Sequence, residues 1–581
     1  MTAADHARDQ WAQLMGGGGA QDRQAGEPQT ADLPAPRTVT VEVGRGQVTV
    51  AWDPVPGAIG YAVHRSDSPE GPFTVVDHGG GDVLAVPHGP YADTTDGRGG
   101  WYAVAALQTV TALGPLSDPA SPSPWTPDPD VLVKVGAEGR PLHRIWQAMV
   151  GAEHLSHLLS ADTTGGRPIG AELREALRRV HDDIGVRTVR AHHILGCDFD
   201  DIDRIYDQVL ELGMRPVVEL GFMPADLAAD PDRTVFAYQG IISPPKDWDR
   251  WAALIRDLAE HLIDRYGAVE VRQWAFEVWN EPNLSVFWSG TPAEYWRLYE
   301  VTAAAIKAVD PALRVGGPST AAVGWVDEQL RVDAPVDFLS THVYGTVPLD
   351  LRPLAGGRPL WWTEWGVTAT HGSAINDTVF AAAFLLKGMR SAAGRIDALA
   401  PWVVSDHFEE LGRPQRLWHG GFGLLTVGNL AKPKFWALAL AQRLGETELP
   451  VTLTGDGADS LVEAWASRTP TGLAVLLWNA TLDHGKAAGD PALARRVRLR
   501  TPHQTPHRVR VWRVDASHGN PAGAWDGGDW PTPAQWEQLA AADRLDEAQP
   551  SWVAEPGEDI VLQLPNPGIA FVSLDAITTG T

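Results

Sequence analysis

The chain is 581 residues long and 44% apolar, with 25 tryptophans, so it holds the material for several packed domains and falls outside the disordered class. Lys and Arg total 47 against 73 Asp and Glu, a net charge of −26, which argues against nucleic acid or an anionic membrane as partner, because both attract basic surfaces. The single cysteine, Cys197, excludes an intrachain disulfide framework and a Cys-rich metal site.

In chain order, residues 1–34 read as a flexible leader. Gly16 to Gly19 offer nothing to pack, and no basic stretch followed by an apolar run marks a secretory signal. With no 18-residue apolar run anywhere, no membrane span is expected, and the expected location is cytoplasmic. Residues 35–127 change character. Strand-like alternation at 39–43, 47–52, 60–66 and 101–107 is separated by turn residues such as Asp53-Pro54 and Pro56-Gly57, which predicts a β-sandwich. The order of strands, with Trp52, Tyr61 and Tyr102, resembles a fibronectin type III module, a type expected to act as a spacer or docking surface. A Pro-rich linker follows at 117–129, and within 128–139 the run VLVKVG (131–136) is expected to join the C-terminal sheet.

Residues 140–447 repeat strand then helix. Strands are predicted at 144–150, 186–192, 215–221, 274–280, 313–318, 337–344, 359–366 and 399–406. Helical spacing appears at 172–184, 201–213, 247–267, 292–310 and 376–392. Eight such units predict a (β/α)₈ barrel. An open doubly wound sheet is disfavoured, since no GxGxxG turn follows the first strand. Residues 448–581 return to β patterning, at 461–467, 472–480, 508–514, 559–565 and 569–575, and predict a second β-sandwich with a helical insertion at 531–544.

In a barrel of this kind the working groups lie at the carboxyl ends of the strands. The sequence places there His192-His193, Glu219, Asn280-Glu281, His342, Tyr344 and Glu364, then Asp406 with Glu409-Glu410. The stretch WAFEVWNEPN (274–283) alternates as a strand and stops at Pro282, which has no N–H for a sheet. Glu281 is left where strand becomes loop, between Trp279 and a proline ring. Apolar surroundings disfavour its charged form and raise its pKa, which suits a general acid. Glu364, in TEWG, lies 364 − 281 = 83 residues on, three strands further, hence across the barrel mouth. Paired carboxyl groups are what glycoside hydrolysis needs. Phe287, Trp288, Trp402 and Phe422 are candidate walls for the C–H faces of a sugar. No Lys or Arg is placed at this rim: Arg190 is expected to point away from the face that His192 occupies. The histidines lack paired ligand spacing, so neither metal nor cofactor is expected.

WNEPN followed by TEWG resembles the retaining glycosidases built on (β/α)₈ barrels. VVELGFMP (217–224), FEVWNEPNLSVFW (276–288), VDFLSTHVYG (336–345) and SDHFEE with HGGFGLL (405–410, 419–425) narrow the resemblance to glycoside hydrolase family 39. That resemblance implies a retaining exo-glycosidase on oligosaccharides or glycosides, first of all a β-xylosidase. An α-L-iduronidase, arabinosidase or β-glucosidase is the alternative within the family, and an inactive carbohydrate-binding protein the alternative outside catalysis. It implies Glu281 as acid/base, Glu364 as nucleophile, and Asn280 on the sugar 2-hydroxyl. His192, His342 and Tyr344 would line the terminal-sugar subsite, with Trp402 and Glu410 (or Glu409) on the outer hydroxyls. The family's His-Gly pair after the second strand is His192-His193 here, so His193 is expected to reshape the pocket. Oligomeric state stays open, a homo-oligomer included.

Overall fold

The structure is a computed structural model that describes residues 29–95, 100–123, 128–525 and 527–577; the predicted leader up to residue 28 lies outside the described residues. Eight parallel strands pair in sequential order in one sheet: β1 (Met149–Gly151), β2 (Thr188–Ala191), β3 (Arg215–Leu220), β4 (Ala275–Val278), β5 (Arg314–Thr320), β6 (Phe338–Tyr344), β7 (Leu360–Gly366) and β8 (Ala398–Pro401). The sheet is nearly closed, and Val404 N donates to Gly151 O (2.8 Å) across the seam. A helix follows each strand: α1 (Ile169–Arg179), α2 (Phe199–Glu211), α3 (Trp248–Tyr266), α4 (Pro292–Val309), α5 (Val326–Gln329), α6 (Arg352–Ala355), α7 (Val379–Ala392) and α8 (Pro433–Gln442). This is the arrangement of a (β/α)₈ barrel.

Local chemistry explains the boundaries. Asp247 accepts from two backbone N–H groups at the start of α3, and Thr291 with Glu294 forms a reciprocal capping box before Pro292 on α4. The first and last strands are shorter than predicted. Ile145–Gln147 is a 3₁₀ turn rather than strand, and β8 stops at Pro401. Helix α8 was not anticipated. Its sequence PKFWALALAQ is buried on nearly all sides, so it carries no polar stripe to set a 3.6-residue period.

The barrel interior is layered. Met149, Val217, Ala275, Phe338, Trp361, Ala398 and Ala400 form an apolar plug in its lower half, with Phe338 stacked on Trp361 at 4.0 Å. The layer above is charged and buried, and it forms the floor of the candidate site.

Before the barrel lie a five-stranded sheet, which includes Gly60–Ser66 and Trp101–Thr109, and a three-stranded sheet with Thr40–Val43, Val48–Ala51 and Tyr91–Asp93. Gln29–Thr30, within the predicted leader, pairs with Ala112–Leu116 in the first of these. After the barrel come a seven-stranded and a four-stranded sheet, which share an apolar core including Val133, Val475, Val497 and Val572. Asp130–Val135 lies between Val451–Thr454 and Arg495–Arg500 in the smaller of the two. Among the described residues no helix is long and apolar enough to cross a membrane.

Candidate active site

The side chains at the mouth are aimed by three local breaks in strand regularity. On an unbroken strand successive side chains alternate, so Thr363 and Glu364 would face opposite ways. The β6–β7 register shifts at Thr341/His342 and the β7–β8 register between Trp362 and Trp365. That bulge turns both Thr363 and Glu364 into the barrel while Trp365 packs outward on Phe384. After β4, Trp279 (φ 69°) and Glu281 (φ 44°) adopt left-handed backbone, as does Ser319 (φ 56°) at a second register shift in β5. Such conformations cost non-glycine residues about 1–3 kcal/mol each and persist where surrounding contacts impose them.

Those contacts converge on Arg190, which is fully buried. Its guanidinium donates to Glu364 Oε1 (2.6 Å), Glu277 Oε2 (2.6 Å), Asn280 Oδ1 (2.9 Å) and Ser319 Oγ (3.1 Å), and lies 2.7 Å from Glu219 Oε2. The expectation that Arg190 faces away is therefore wrong. Residues 190 and 192 are two apart on one strand and share a face. His192 Nδ1 sits 2.6 Å from Glu219 Oε2. Burial alone would keep this ring neutral, but the charge of Glu219 and contact with Glu410 lift its pKa to about 10. Glu219, Glu277 and Glu364 thus share two cations, Arg190 and His192, which offset most of the charge that burial penalises.

Glu364 is held from two sides. Arg190 takes one oxygen and the Tyr344 hydroxyl donates to the other (2.7 Å). Burial pushes the Glu364 carboxyl up, while Arg190, His192 and Tyr344 pull it back towards ionisation. Glu281 is raised further: burial comes first, then the charge of Glu364, then that of Asp82. One proton shared by this pair therefore resides on Glu281. Its partner is His342, whose Nδ1 lies 2.9 Å from Glu281 Oε1. Burial, then the positive charges of Arg190 and His192, keep this ring neutral. Thr363 spends its own proton on Glu277 (2.8 Å), so towards His342 Nε2, 3.1 Å away, it can only accept. Ser319 Oγ lies 3.1 Å from the same nitrogen, so the ring bridges these two hydroxyls to Glu281 Oε1.

The remaining predicted residues divide. Trp402 packs its ring 4.8 Å from His192 and clusters with Tyr344, Phe408 and Phe422. Gly151 makes room for it, since a Cβ there would stand 2.2 Å from the indole. Glu410 lies 3.5 Å from His192 Nε2, and burial pushes its pKa up to about 7. Glu409 is instead tied to Arg413 and to His157, which separates the roles of the two glutamates. Asp406 is structural: it pairs with Lys432 (2.6 Å) and accepts from Gly423 N. Phe287 and Trp288 belong to the packing around Trp279, with the Trp279 and Trp288 rings 5.0 Å apart and Trp279 Nε1 donating to Phe287 O. His193 turns towards Tyr238 (5.2 Å) and Phe222. Cys197 is a free thiol that burial pushes up to about 11.

Sequence reasoning missed Arg190, Glu277, Ser319 and Thr363. Strand parity with His192 would have found the first, and parity within β4 the second. Among the described residues two groups bring three possible metal ligands within 4.8 Å, Glu153–His154–His157 and Glu281–His342–Glu364. In the second, an oxygen of Glu281 and an oxygen of Glu364 are thereby within 4.8 Å of one another.

A pair of carboxyl groups this close, one holding a proton and one gripped by a cation, is suited to acid-assisted displacement at an anomeric carbon. Residues 130–350 and 349–555 match the profile described as glycosyl hydrolases family 39. The chain belongs to that family. Within it, a β-xylosidase of Caldicellulosiruptor saccharolyticus is 34% identical over 369 residues, 55% of this chain and 73% of that one. A β-xylosidase of Geobacillus stearothermophilus is 33% identical over 417 residues, 61% and 78% respectively. Among solved structures, that of a monomeric β-xylosidase from Caulobacter crescentus CB15 superposes with a TM-score of 0.65 at 28% identity. It covers 77% of this chain and all of that one. As a family 39 member the chain is a glycosyl hydrolase with a carbohydrate substrate.

Proposed function

We propose that this family 39 chain is a retaining exo-glycosidase that removes terminal β-xylosyl residues from oligosaccharides. The observation that carries the reading is the Glu281–Glu364 pair, with oxygens within 4.8 Å. Retaining pairs sit about 5–5.5 Å apart, whereas inverting pairs need about 6.5–9.5 Å to admit a water. The protonated Glu281 gives its proton to the glycosidic oxygen as Glu364 attacks C1, and the aglycone leaves as an alcohol. A glycosyl ester forms on Glu364, which removes the charge that raised the pKa of Glu281. Glu281, now a carboxylate, takes a proton from water while the water oxygen attacks C1 and releases the sugar with its configuration kept. Arg190 and Tyr344 hold Glu364 ionised and aimed. Asn280, whose oxygen is bound by Arg190, has its amide N–H groups left for the sugar 2-hydroxyl. Trp402 and Glu410 take the outer face of the sugar, and His193 shapes the wall beside Tyr238.

An iduronidase-like activity is disfavoured by the charge layer. Its one guanidinium is already spent on three carboxylates and offers nothing to an anionic sugar. We assign the paired sheets before and after the barrel as β-sandwiches, the first of fibronectin type III-like form, on the strength of Trp52 packed 5.3 Å from Tyr61 and Tyr102 bonded to Asp93.

The reading is tested by following the anomeric configuration of the first-released sugar by proton NMR across a panel of aryl glycosides. β-Xylose from the β-xyloside supports it, and α-xylose as first product overturns it. Glu281→Ala is expected to lose roughly 10²- to 10⁴-fold in kcat/KM on a poor leaving group and far less on a good one; equal losses on both would remove Glu281 as the acid. The free-enzyme pH profile is expected to be bell-shaped, because Glu364 must be ionised and Glu281 protonated. Its alkaline limb should lie well above the ordinary glutamate value of about 4.3, since burial and Glu364 both raise Glu281. A kcat/KM series against pH in which Glu281→Gln keeps that limb would contradict the assignment.

A further inference from the structure

The module before the barrel is of a type expected to act as a spacer or docking surface, yet one of its loops reaches the catalytic rim. Asp82 N donates to Tyr344 O (2.8 Å), and Tyr344 N donates back to Asp82 Oδ2 (3.0 Å). One residue on, Val83 and Thr346 exchange two more hydrogen bonds: Val83 N donates to Thr346 Oγ1 (3.3 Å) and Thr346 Oγ1 to Val83 O (2.8 Å). The far end of the loop is pinned to the C-terminal region, where His484 N donates to His78 O (2.9 Å). The approach is close enough to demand glycine. Gly345 has φ +63°, and a Cβ there would lie 1.8 Å from Gly80 O. Tyr344 is thus the end of β6 on which two domains meet, and its hydroxyl is one of the two groups that hold Glu364.

We propose that Asp82, supplied from outside the barrel, is a positioning residue of the hydrolytic site, fixing the end of β6 so that the Tyr344 hydroxyl stays on Glu364. This rests on the roles given above to Glu281 and Glu364. The carboxylate of Asp82 has a second consequence, because its charge adds to the forces that keep Glu281 protonated. The leading module is then part of the catalytic unit, and the two effects of Asp82 act on opposite limbs of the pH profile. Its backbone and side-chain bonds act through Tyr344, whose donated hydrogen bond favours ionised Glu364, so losing them moves the acidic limb to higher pH. Its charge disfavours ionised Glu281, so losing it moves the alkaline limb to lower pH.

Two substitutions separate these effects. Asp82→Asn keeps an oxygen to accept from Tyr344 N and removes the charge, so only the alkaline limb should fall. Asp82→Ala removes both, so the bell should narrow from both sides and kcat/KM at its maximum should drop roughly 10- to 100-fold, as for a small displacement of a reacting group. Thr346→Val, which loosens the loop without touching Asp82, should raise the acidic limb alone. All are made in the full chain, with thermal melts confirming folding. The same shifts are read without substrate by carboxyl ¹³C NMR titration of Glu281 and Glu364, so the inference is decided even if the parent protein hydrolyses no xyloside, which would count against the proposed substrate instead. Profiles and titrations that superimpose on those of the parent, or that lose amplitude with neither limb displaced, overturn it.

Discussion

Glu364→Gly is expected to lower kcat on an aryl β-xyloside by roughly 10⁵- to 10⁶-fold, the scale seen when a covalent nucleophile is removed. That is about 7–8 kcal/mol of barrier. The size follows from the geometry. Glu364 is the carboxylate whose oxygens are claimed by Arg190 and Tyr344, so its loss removes the attacking atom and leaves two donors facing a void. The same void should admit azide, a small anion that Arg190 attracts. Azide would attack C1 from the face Glu364 occupied, while the intact Glu281 or a good leaving group completes departure. Rescue should yield the α-glycosyl azide, which chiral product analysis or NMR coupling constants identify. In Glu281→Ala the stereochemistry should reverse: azide would then meet the glycosyl ester already formed on Glu364 and yield the β-azide. A β-azide from Glu364→Gly would assign the wrong residue to the wrong face and end the double-displacement proposal.

That pair of carboxyl groups could be read from the chain because each stands beside an unmistakable break, Pro282 after one and the tryptophan-rich strand of TEWG around the other. All eight barrel strands were likewise visible, since each is a short apolar run beside turn residues, and helical spacing follows five of them. What the sequence concealed has physical causes. A bulge inserts one residue and resets the in-out alternation, so no counting along β7 assigns both Thr363 and Glu364 to the interior. Positive φ at Trp279, Glu281 and Ser319 carries no compositional mark, because glycine is absent from all three. The loop carrying Asp82 is far from Tyr344 in sequence, and a contact of 344 − 82 = 262 residues' separation leaves no local pattern. Helix α8 lacked a polar face. Arg190 differs from these, since regular alternation from His192 was sufficient to place it. It was passed over because its side chain was placed on the face opposite His192, although residues two apart along a strand share a face.

Removing that cation is the second large effect to expect. Arg190→Met leaves Glu219, Glu277 and Glu364 buried around an uncharged side chain, with His192 the one remaining cation in contact. Breaking a buried pair on one side costs about 3–5 kcal/mol, which a thermal melt would register as a clear loss of stability. The catalytic signature is more specific. Without the guanidinium, the group pulling Glu364 towards ionisation most strongly is gone, while burial still pushes it up. The acidic limb of kcat/KM should therefore move up by roughly 1–3 units, and the variant should be nearly inactive at the parent's optimum and partly recover at higher pH. Arg190→Lys retains the charge but not the fork that reaches Glu277, Glu364 and Asn280 together. It should restore much of the acidic limb and little of kcat, because an ammonium can bind one carboxylate without aiming the others. An acidic limb unmoved in Arg190→Met would mean that Tyr344 and His192 suffice to ionise Glu364, and the charge layer beneath the mouth would then be a matter of folding alone.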